Sequence, residues 1–252
     1  MMNIQTVPTS VHWHPHSRQH ALKLARDERW STFDELQNLL QYTRQRQCTN
    51  ETSLFQRRRL KEGESALMMG QPFDGLYVVR LGTLKTMITN VDGGVHVLAF
   101  PMKGSLLGFD GIYQNTYTSD VVALTDCDLV RIPASELFTS GRVNNHLEHM
   151  TYWASSREII QEQAAYSLTR TVKSDARVAR FLHTMSERFE AMGYSPNRFI
   201  LPMTRRDIGH HLSVTVETVS RAFSALVQQR IIEVDFREIK ILSSDALCHF
   251  ER

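Results

Sequence analysis

The sequence predicts an α+β protein with a β-rich N-terminal half, one long helix and a helical C-terminal unit that ends in a hairpin. Short alternating or β-branched runs separated by turn residues occupy residues 54–133, a pattern typical of a small antiparallel barrel or sandwich. Residues 142–169 contain neither proline nor glycine, which favours a single long helix. The last third combines helical periodicity, a tight turn between two short capped helices, and two final β-branched runs.

The composition excludes several classes of protein. The chain has 252 residues, 42% of them hydrophobic and 22% charged, which is typical of a soluble globular protein. Its three cysteines, Cys48, Cys127 and Cys248, are too widely spaced for a disulfide framework or a CxxC site, so a cytoplasmic location is expected. No apolar run approaches the roughly 18 residues of a membrane span. The formal net charge of +2 gives no bulk attraction for nucleic acid, so any such site must come from local placement of charge.

The chain divides into four predicted segments. The first holds two prolines, four histidines and few aliphatic residues, which indicates a flexible leader. A capping box formed by Thr32 and Glu35 begins a helix whose apolar residues recur at helical period until about Thr43. The predicted segments are a leader (1–30), a β domain with an N-terminal helix (31–140), a long helix (141–170) and a C-terminal domain (171–252).

Within the β domain the alternation predicts five strands. Glycine-containing turns around Gly82, Gly93, Gly104 and Gly108 separate them. The predicted strands are 75–80, 83–89, 95–100, 119–124 and 128–132.

The long helix has two open interpretations. Roughly 28 helical residues would span about 40 Å, more than one compact domain usually buries. The helix either packs between domains or forms the seam of a two-stranded homodimer, and its position between a β domain and a helical domain favours the homodimer. The predicted seam residues, at helical or near-heptad spacing, are Leu147, Met150, Ala154, Ile159, Glu162 and Tyr166.

The most informative stretch begins at Thr204. With Asp207 three residues on, Thr204 can cap a helix that runs to Leu212. Ser213 and Val214 make a turn, and Thr215 can cap a second helix that ends near residue 229. Two short helices joined by such a turn predict a helix-turn-helix, and the two final β-branched runs predict a hairpin that packs beside it as a wing.

One face of the second helix carries polar side chains suited to DNA bases. Glu217, Ser220, Arg221 and Ser224 are spaced i, i+3, i+4 and i+7, so they share that face. Arginine can take O6 and N7 of guanine together, glutamate can accept from N4 of cytosine, and serine suits several bases. The alternative interpretation is an ordinary helical hairpin whose polar face contacts solvent rather than DNA. The residues predicted to contact the DNA backbone are Thr204, Arg205, Arg206, Thr215 and Thr218.

The sequence of the predicted helix-turn-helix resembles that of a known protein family. Residues 201–209 (LPMTRRDIG) and 215–221 (TVETVSR) are similar to the DNA-binding region of CRP/FNR-type bacterial transcription regulators, in particular the FNR branch. Residues 104–112 (GSLLGFDGI) are similar to the same branch, so the resemblance covers roughly residues 30–250. It implies an N-terminal β-roll of the cupin-like, cyclic-nucleotide-binding type, a long dimerisation helix and a C-terminal winged helix-turn-helix.

The resemblance also implies roles and partners. By position, Glu217, Ser220 and Arg221 match a Glu-x-x-Ser-Arg reader of TTGAT-type half-sites in palindromic double-stranded DNA, which suits a homodimer. RNA polymerase is the implied protein partner, and activation the implied outcome. Ser213 and Arg230 stand where relatives often have glycine, so both junctions are expected to be strained.

This chain lacks the residues with which members of this family bind cyclic AMP or an iron–sulfur cluster. Relatives that bind cyclic AMP use a Gly-Glu pair and an arginine before Ser or Thr, because arginine neutralises the cyclic phosphate. Here Phe109-Asp110 replaces the pair, Tyr117 stands before Thr118, and residues 81–130 contain no arginine. An iron–sulfur cluster of the FNR kind needs four cysteines, but none precedes Cys48. We therefore expect neither cyclic AMP nor an Fe–S cluster.

A few residues leave other signals open. His12, His14 and His16 alternate in the leader and could bind a transition metal or haem, while Cys127 could report oxidation. A disordered leader and a buried thiol are the ordinary alternatives. The regulator could therefore respond to haem, nitric oxide or thiol oxidation. A metal-dependent β-barrel enzyme has little support, because the barrel itself offers only His96, and no enzyme is expected.

Overall fold

The computed structural model describes residues 29–42, 53–137, 146–171 and 173–250, with the backbone alone for residues 165–171. In the first part of the chain the elements are β1 (Trp30–Thr32), α1 (Phe33–Leu39), β2 (Leu54–Leu60), β3 (Ser65–Leu67), β4 (Gly75–Leu81), β5 (Leu84–Thr89), β6 (Val95–Ala99), β7 (Leu106–Leu107), α2 (Gly111–Gln114), β8 (Asp120–Ala123), β9 (Cys127–Pro133) and α3 (Ala134–Leu137). They are followed by α4 (His146–Thr171), α5 (Ser174–Ala191), β10 (Arg198–Ile200), α6 (Arg205–Leu212), α7 (Val216–Gln228), β11 (Ile232–Asp235), β12 (Glu238–Ile241) and α8 (Ser244–Cys248).

The described residues form two compact units. The first comprises those up to Leu84 together with Pro101–Glu158, and the second comprises Lys85–Phe100 together with those from Ile159 onward. The hairpin of β5 and β6 therefore belongs mainly to the second unit, although the sequence groups it with the β domain. No described helix has both the length and the apolar character that a membrane crossing needs.

The first unit is built on an antiparallel sheet of order β1-β2-β9-β4-β7. Its central pair, β4 and β9, places Val78 opposite Val130. On one face, Val78 and Val130 join a core with the apolar residues of α1 and the start of α4. On the other, Tyr77 joins a second core that includes Leu129 and Val121 of β8. Because β4 is buried on both faces, it is a continuous apolar run rather than an alternating one.

The second unit is helical, with a small sheet of order β10-β12-β11. Helix α5 has a strongly amphipathic sequence and buries Val178, Phe181 and Leu182, while α7 buries Val219 and Leu226. The hairpin β11–β12 has the position of the predicted wing. A winged helix-turn-helix is therefore confirmed, as is the β-domain architecture of the first unit.

The predicted elements are present with small differences at their ends. All five predicted strands exist, and Thr32 caps α1 by accepting from the Glu35 N–H at 3.2 Å, but α1 ends at Leu39 rather than near Thr43. Several elements are not predictable from the sequence pattern. Strands of two or three residues are too short to show alternation, and in β2 three consecutive arginines obscure the alternation of polar and apolar residues. The missed elements are β1, β2, β3, β7, β10, α2, α3 and α8.

Helix α4 requires a correction. Leu147, Met150 and Ala154 are buried in the core of the first unit, with exposed fractions of 6%, 0% and 0%, so they do not line a seam with another chain. Helical periodicity reveals an apolar face but not what covers it. Of the other predicted seam residues, Ile159 is 44% exposed and Glu162 is exposed. The side chain of Tyr166 lies outside the described part of the chain.

Candidate nucleic-acid interface

The first helix of the helix-turn-helix begins at a complete capping box. The Thr204 hydroxyl accepts from the Asp207 N–H at 3.1 Å, and the Asp207 carboxylate accepts from the Thr204 N–H at 2.9 Å and from its hydroxyl at 2.6 Å. Asp207 is only 6% exposed. The local spacing of Thr204 and Asp207 is sufficient to predict this cap, and the structure confirms it.

Asp207 has a second partner that local sequence does not reveal. Lys85 Nζ lies 2.7 Å from Asp207 Oδ1, although 122 residues separate them in the chain. Burial alone would raise the pKa of Asp207, but hydrogen bonds from Lys85 and Thr204 outweigh it, so the pKa is lowered. The carboxylate therefore stays ionised and holds the start of α6 against the β5–β6 hairpin.

The same hairpin covers the other end of α6. The His211 ring is packed edge-to-face against Phe100 and Phe181, with centroid distances of 5.1 and 5.8 Å. His211 Nδ1 lies 3.1 Å from the Val97 carbonyl oxygen, so it donates this hydrogen bond. Burial lowers the pKa of His211, which favours the neutral ring. His211 is a packing residue of α6.

The turn between the two helices is as tight as the sequence predicts. Ser213 has φ +53° and ψ +48°, in the left-handed region, and its N–H donates to the Gly209 carbonyl. A Cβ at Gly209 would lie 2.8 Å from the Val214 oxygen, so the close approach requires glycine. Arg230 also has a positive φ, +56°. Ser213 and Arg230, the two residues that stand in place of glycine, therefore both adopt the left-handed conformation. This conformation costs about 1–2 kcal/mol for residues other than glycine.

The second helix, α7, divides into a buried and an exposed face as predicted. The Thr215 hydroxyl caps it by accepting from the Thr218 N–H at 3.2 Å. Its buried side packs in the unit core. The exposed face carries Glu217, Ser220, Arg221 and Ser224. A capped helix directly after a tight turn thus presents all four predicted base-reading side chains on one surface.

Local contacts orient this face. Arg221 Nη2 donates to the Thr218 hydroxyl at 3.2 Å, which directs the guanidinium along the helix. The backbone N–H of Glu217 and the Thr215 hydroxyl lower the pKa of Glu217, so its carboxylate is ionised and only accepts hydrogen bonds. Ser224 donates to the Ser220 carbonyl at 3.0 Å. The face offers one cationic donor group and one anionic acceptor group.

Two residues predicted to contact the DNA backbone have other surroundings. Thr218 is only 8% exposed, and its hydroxyl is engaged by the cap and by Arg221. The Arg205 guanidinium carbon lies 3.1 Å from the centre of the Phe223 ring, and burial lowers the pKa of Arg205 to about 10. Stacking on Phe223 holds Arg205 against the protein. Thr204, Arg206 and Thr215 are exposed.

The exposed face of α7 borders two grooves. One, of about 440 Å³, lies between α7 and wing strand β11 and is lined by Arg205, Ser220, Phe223, Ser224, Val227, Gln228 and Val234. The other, of about 530 Å³, lies between α7 and the start of α5 and is lined by Ser174, Asp175, Ser220, Arg221, Ser224, Ala225 and Gln228. Both grooves are open, and the one beside α5 is lined mainly by polar groups, which suits an extended ligand surface better than a small apolar molecule.

The wing presents an exposed tip. Phe236 lies in the two-residue turn between β11 and β12, is 88% exposed and has φ +53°. Two of the wing acids form ion pairs: Glu238 with Arg198 at 2.8 Å and Glu233 with Lys240 at 2.9 Å. This pairing reduces the repulsion between the wing and an anionic partner.

The residues of the first unit do not fit a cyclic-nucleotide site. At the segment that replaces the family's Gly-Glu pair, Asp110 Oδ2 accepts from the Thr118 N–H at 3.1 Å, the Thr118 hydroxyl at 2.7 Å and the Ser119 hydroxyl at 2.9 Å. The Tyr117 hydroxyl oxygen lies 2.6 Å from an Asp74 carboxylate oxygen and 2.8 Å from the Gly75 carbonyl oxygen, so its single proton has an acceptor within the protein. The hydrogen-bond donors of Thr118, Ser119 and Tyr117 therefore already have acceptors within the protein. Tyrosine, which carries no positive charge, stands at position 117 in place of an arginine.

Of the remaining predicted signal residues, the structure describes only Cys127. Cys127 is 4% exposed, and its thiol donates to the Thr125 carbonyl at 3.1 Å. Burial raises the pKa of Cys127, so little reactive thiolate forms at neutral pH. Among the described residues no three His, Cys, Asp or Glu side chains are grouped to hold a metal. The predicted ligands His12, His14 and His16 lie outside the described ranges.

Comparisons with known proteins agree with this geometry. A Crp-like helix-turn-helix domain profile matches residues 176–250, and a cyclic nucleotide-binding domain profile matches residues 57–139. The chain is 31% identical over 192 residues to transcriptional regulatory protein Btr of Bordetella pertussis, covering 76% of this chain and 79% of Btr. It is 34% identical over 191 residues to transcriptional activator protein FnrA of Stutzerimonas stutzeri, covering 76% and 78%.

Solved structures share the fold. FixK2 from Bradyrhizobium japonicum superposes with a TM-score of 0.69 at 24% identity, covering 79% of this chain and 98% of FixK2. A CRP-family regulator from Thermus thermophilus gives a TM-score of 0.63 at 18% identity, covering 77% and 97%. The named relatives are transcription regulators and not enzymes. With a capped helix-turn-helix, a cyclic-nucleotide-binding-type β domain and relatives above 30% identity over three quarters of its length, this chain belongs to the CRP/FNR family of DNA-binding transcription regulators.

Proposed function

We propose that this regulator reads TTGAT-type half-sites of a palindrome through α7, as a homodimer, and that it activates transcription with RNA polymerase in the cytoplasm. The observation that carries the proposal is the exposed face of α7, where Glu217, Ser220 and Arg221 lie side by side on a helix capped by Thr215. A cationic fork and an anionic acceptor on adjacent turns can read a guanine and a cytosine in the major groove.

The homodimer is supported by the second half of α4. Ile159 is 44% exposed and Ile160 is 62% exposed, on a helix that is long enough to extend beyond the core of one unit. Large aliphatic side chains adjacent on an exposed helix favour pairing with a second copy of the same helix. Two copies of α7 related by a two-fold axis would meet two half-sites one helical turn or a multiple apart.

Activation is supported by the relatives. FnrA of Stutzerimonas stutzeri and Anr of Pseudomonas aeruginosa are both named transcriptional activators. Regulation without an Fe–S cluster is supported by the cysteine count, since four thiolates are needed and the chain has three cysteines. Regulation without cyclic AMP is supported by the hydrogen bonds of Asp110 and Tyr117.

A binding assay tests the proposal. Fluorescence anisotropy with a palindromic TTGAT duplex is expected to show tighter binding than with a shuffled duplex of the same composition. Arg221→Ala should cost about 1–3 kcal/mol and relax discrimination at one base pair, whereas Arg206→Ala should weaken all duplexes alike and reduce the salt dependence. Lys103→Ala, at an exposed position of the first unit, controls for loss of positive charge. Equal affinity of Arg221→Ala and the parent for both duplexes would contradict the assignment.

A further inference from the structure

In the first unit, three hydrogen-bond donors converge on one carboxylate oxygen. The Thr118 N–H, the Thr118 hydroxyl and the Ser119 hydroxyl all point at Asp110 Oδ2, at 3.1, 2.7 and 2.9 Å. A backbone amide with two hydroxyls is the donor set that proteins use for phosphate oxygens. Ser119 is 4% exposed, so its hydroxyl depends on Asp110 for a partner inside the protein.

We infer that the Asp110 carboxylate is an internal anion that occupies an anion-binding donor set of the β domain, so that this site takes up no phosphate group of a nucleotide while the carboxylate is in place. The inference concerns the first unit and stands apart from the DNA site proposed above. It makes two claims that can be tested separately: the intact domain takes up no cyclic nucleotide, and removal of the carboxylate uncovers an anion site.

The backbone around Asp110 is arranged for this contact. Asp110 is the residue that precedes α2, a position where a carboxylate usually caps the helix, yet its side chain makes no capping hydrogen bond. A Cβ at Gly111 would lie 2.9 Å from the Phe73 ring and 3.0 Å from the Tyr117 ring. Glycine therefore lets this segment lie close to Tyr117, and the carboxylate is directed at the following strand instead of at α2.

The surroundings also disfavour a second anion. The hydroxyl of Tyr117 is committed to Asp74 and Gly75, and Arg131 forms an ion pair with Asp74 at 3.0 Å. The positive charge of Arg131 is thus already paired with a carboxylate. A phosphate that approached Thr118 and Ser119 would meet the Asp110 carboxylate at contact distance, where like charges repel strongly in a partly buried site.

The test compares thermal unfolding of the full chain and of Asp110→Ala in increasing inorganic phosphate. Asp110→Ala is expected to have a lower Tm than the parent, and phosphate is expected to raise that Tm several-fold more than it raises the parent's, because the freed donors bind the anion. Asp92→Ala removes an exposed carboxylate that accepts one backbone hydrogen bond in a turn, and it serves as the matched control. Adding Thr118→Val to Asp110→Ala should reduce the phosphate response.

Several outcomes would overturn the inference. One is an equal response to phosphate in the parent, Asp110→Ala and Asp92→Ala, which would mean a general salt effect. Another is no response in Asp110→Ala, which would mean that its donors form no anion site. Calorimetric titration of the parent with cyclic AMP does not depend on whether a variant folds. Saturable binding of cyclic AMP would refute the inference, whereas no heat of binding and no shift in Tm would support it.

Discussion

The Lys85–Asp207 ion pair offers the sharpest test of how α6 is stabilised. Asp207 caps α6 through Thr204 and also accepts from Lys85 at 2.7 Å, so its two roles can be separated. Asp207→Asn keeps an oxygen for the cap but removes the charge, whereas Asp207→Ala removes both. Lys85→Met keeps most of the side-chain volume and leaves the carboxylate without its cation.

The burial of the two groups sets the expected magnitudes. Breaking a fully buried pair costs about 3–5 kcal/mol, but the Lys85 side chain is 22% exposed and can turn toward water. We therefore expect Asp207→Asn to lower the free energy of unfolding by about 1–2 kcal/mol. Loss of the cap adds about 1 kcal/mol in Asp207→Ala. Lys85→Met should cost about 1–3 kcal/mol, because it leaves a buried carboxylate with Thr204 alone.

The pH dependence follows from the lowered pKa of Asp207. A carboxyl whose pKa is lower in the folded state stabilises the protein above its unfolded pKa of about 3.9. That stabilisation is lost as the pH falls through the folded value. The parent should therefore lose stability below about pH 4, and Lys85→Met should lose less over the same range, since its Asp207 has lost one cause of the lowered pKa.

Urea unfolding followed by circular dichroism measures these changes. The decisive quantity is the coupling in the double-mutant cycle of Lys85→Met and Asp207→Asn. We expect the double variant to be more stable than the sum of the single effects predicts by about 1 kcal/mol or more. Additive effects would show that the two side chains do not interact, and the account of α6 given above would then be wrong.

Three further predictions concern the helix α4, the helix-turn-helix turn and the buried thiol. In sedimentation velocity, Ile160→Asp should shift the chain toward monomer with little change in stability. Met150→Ala should lower the free energy of unfolding by about 2–5 kcal/mol and leave the dimer equilibrium intact. A shift toward monomer in Met150→Ala without loss of stability would return Met150 to the dimer seam. Ser213→Gly should raise the unfolding free energy by about 0.5–1 kcal/mol, because it relieves a left-handed residue, and a loss would argue against that conformation. Cys127 should react with iodoacetamide only under unfolding conditions, whereas the exposed Cys248 should react in the native protein. Rapid labelling of Cys127 itself in the native protein would reopen a redox role.

The helix-turn-helix could be predicted in detail because its interactions are local. The caps at Thr204 and Thr215 join residues three apart, and the turn at Ser213 depends on the small residue Gly209 nearby. Such contacts follow from spacing alone, so the exposed polar face of α7 follows as well. The β strands were predicted where they show alternation, and also in β4, whose apolar run is long enough to recognise.

Other features required the partner element. Strands β3 and β7 consist of two or three residues and exist only through pairing with β8 and β4. Lys85 contacts Asp207 across 122 residues, and no local pattern joins them. Asp110 illustrates both sides: the family resemblance implies that Phe109-Asp110 stands in place of a ligand-binding pair, but only the fold shows which donors hydrogen-bond to the Asp110 carboxylate.

The sequence by itself determined the class of this protein, its helix-turn-helix and the exposed polar face of α7, because capping, periodicity and residue chemistry act over three or four positions. The tertiary structure decided what covers each apolar face and what satisfies each buried charge. It placed Met150 in a core rather than a seam, stacked Arg205 on Phe223, and gave Asp207 its lysine. Those outcomes depend on packing between distant segments, which one-dimensional periodicity does not record.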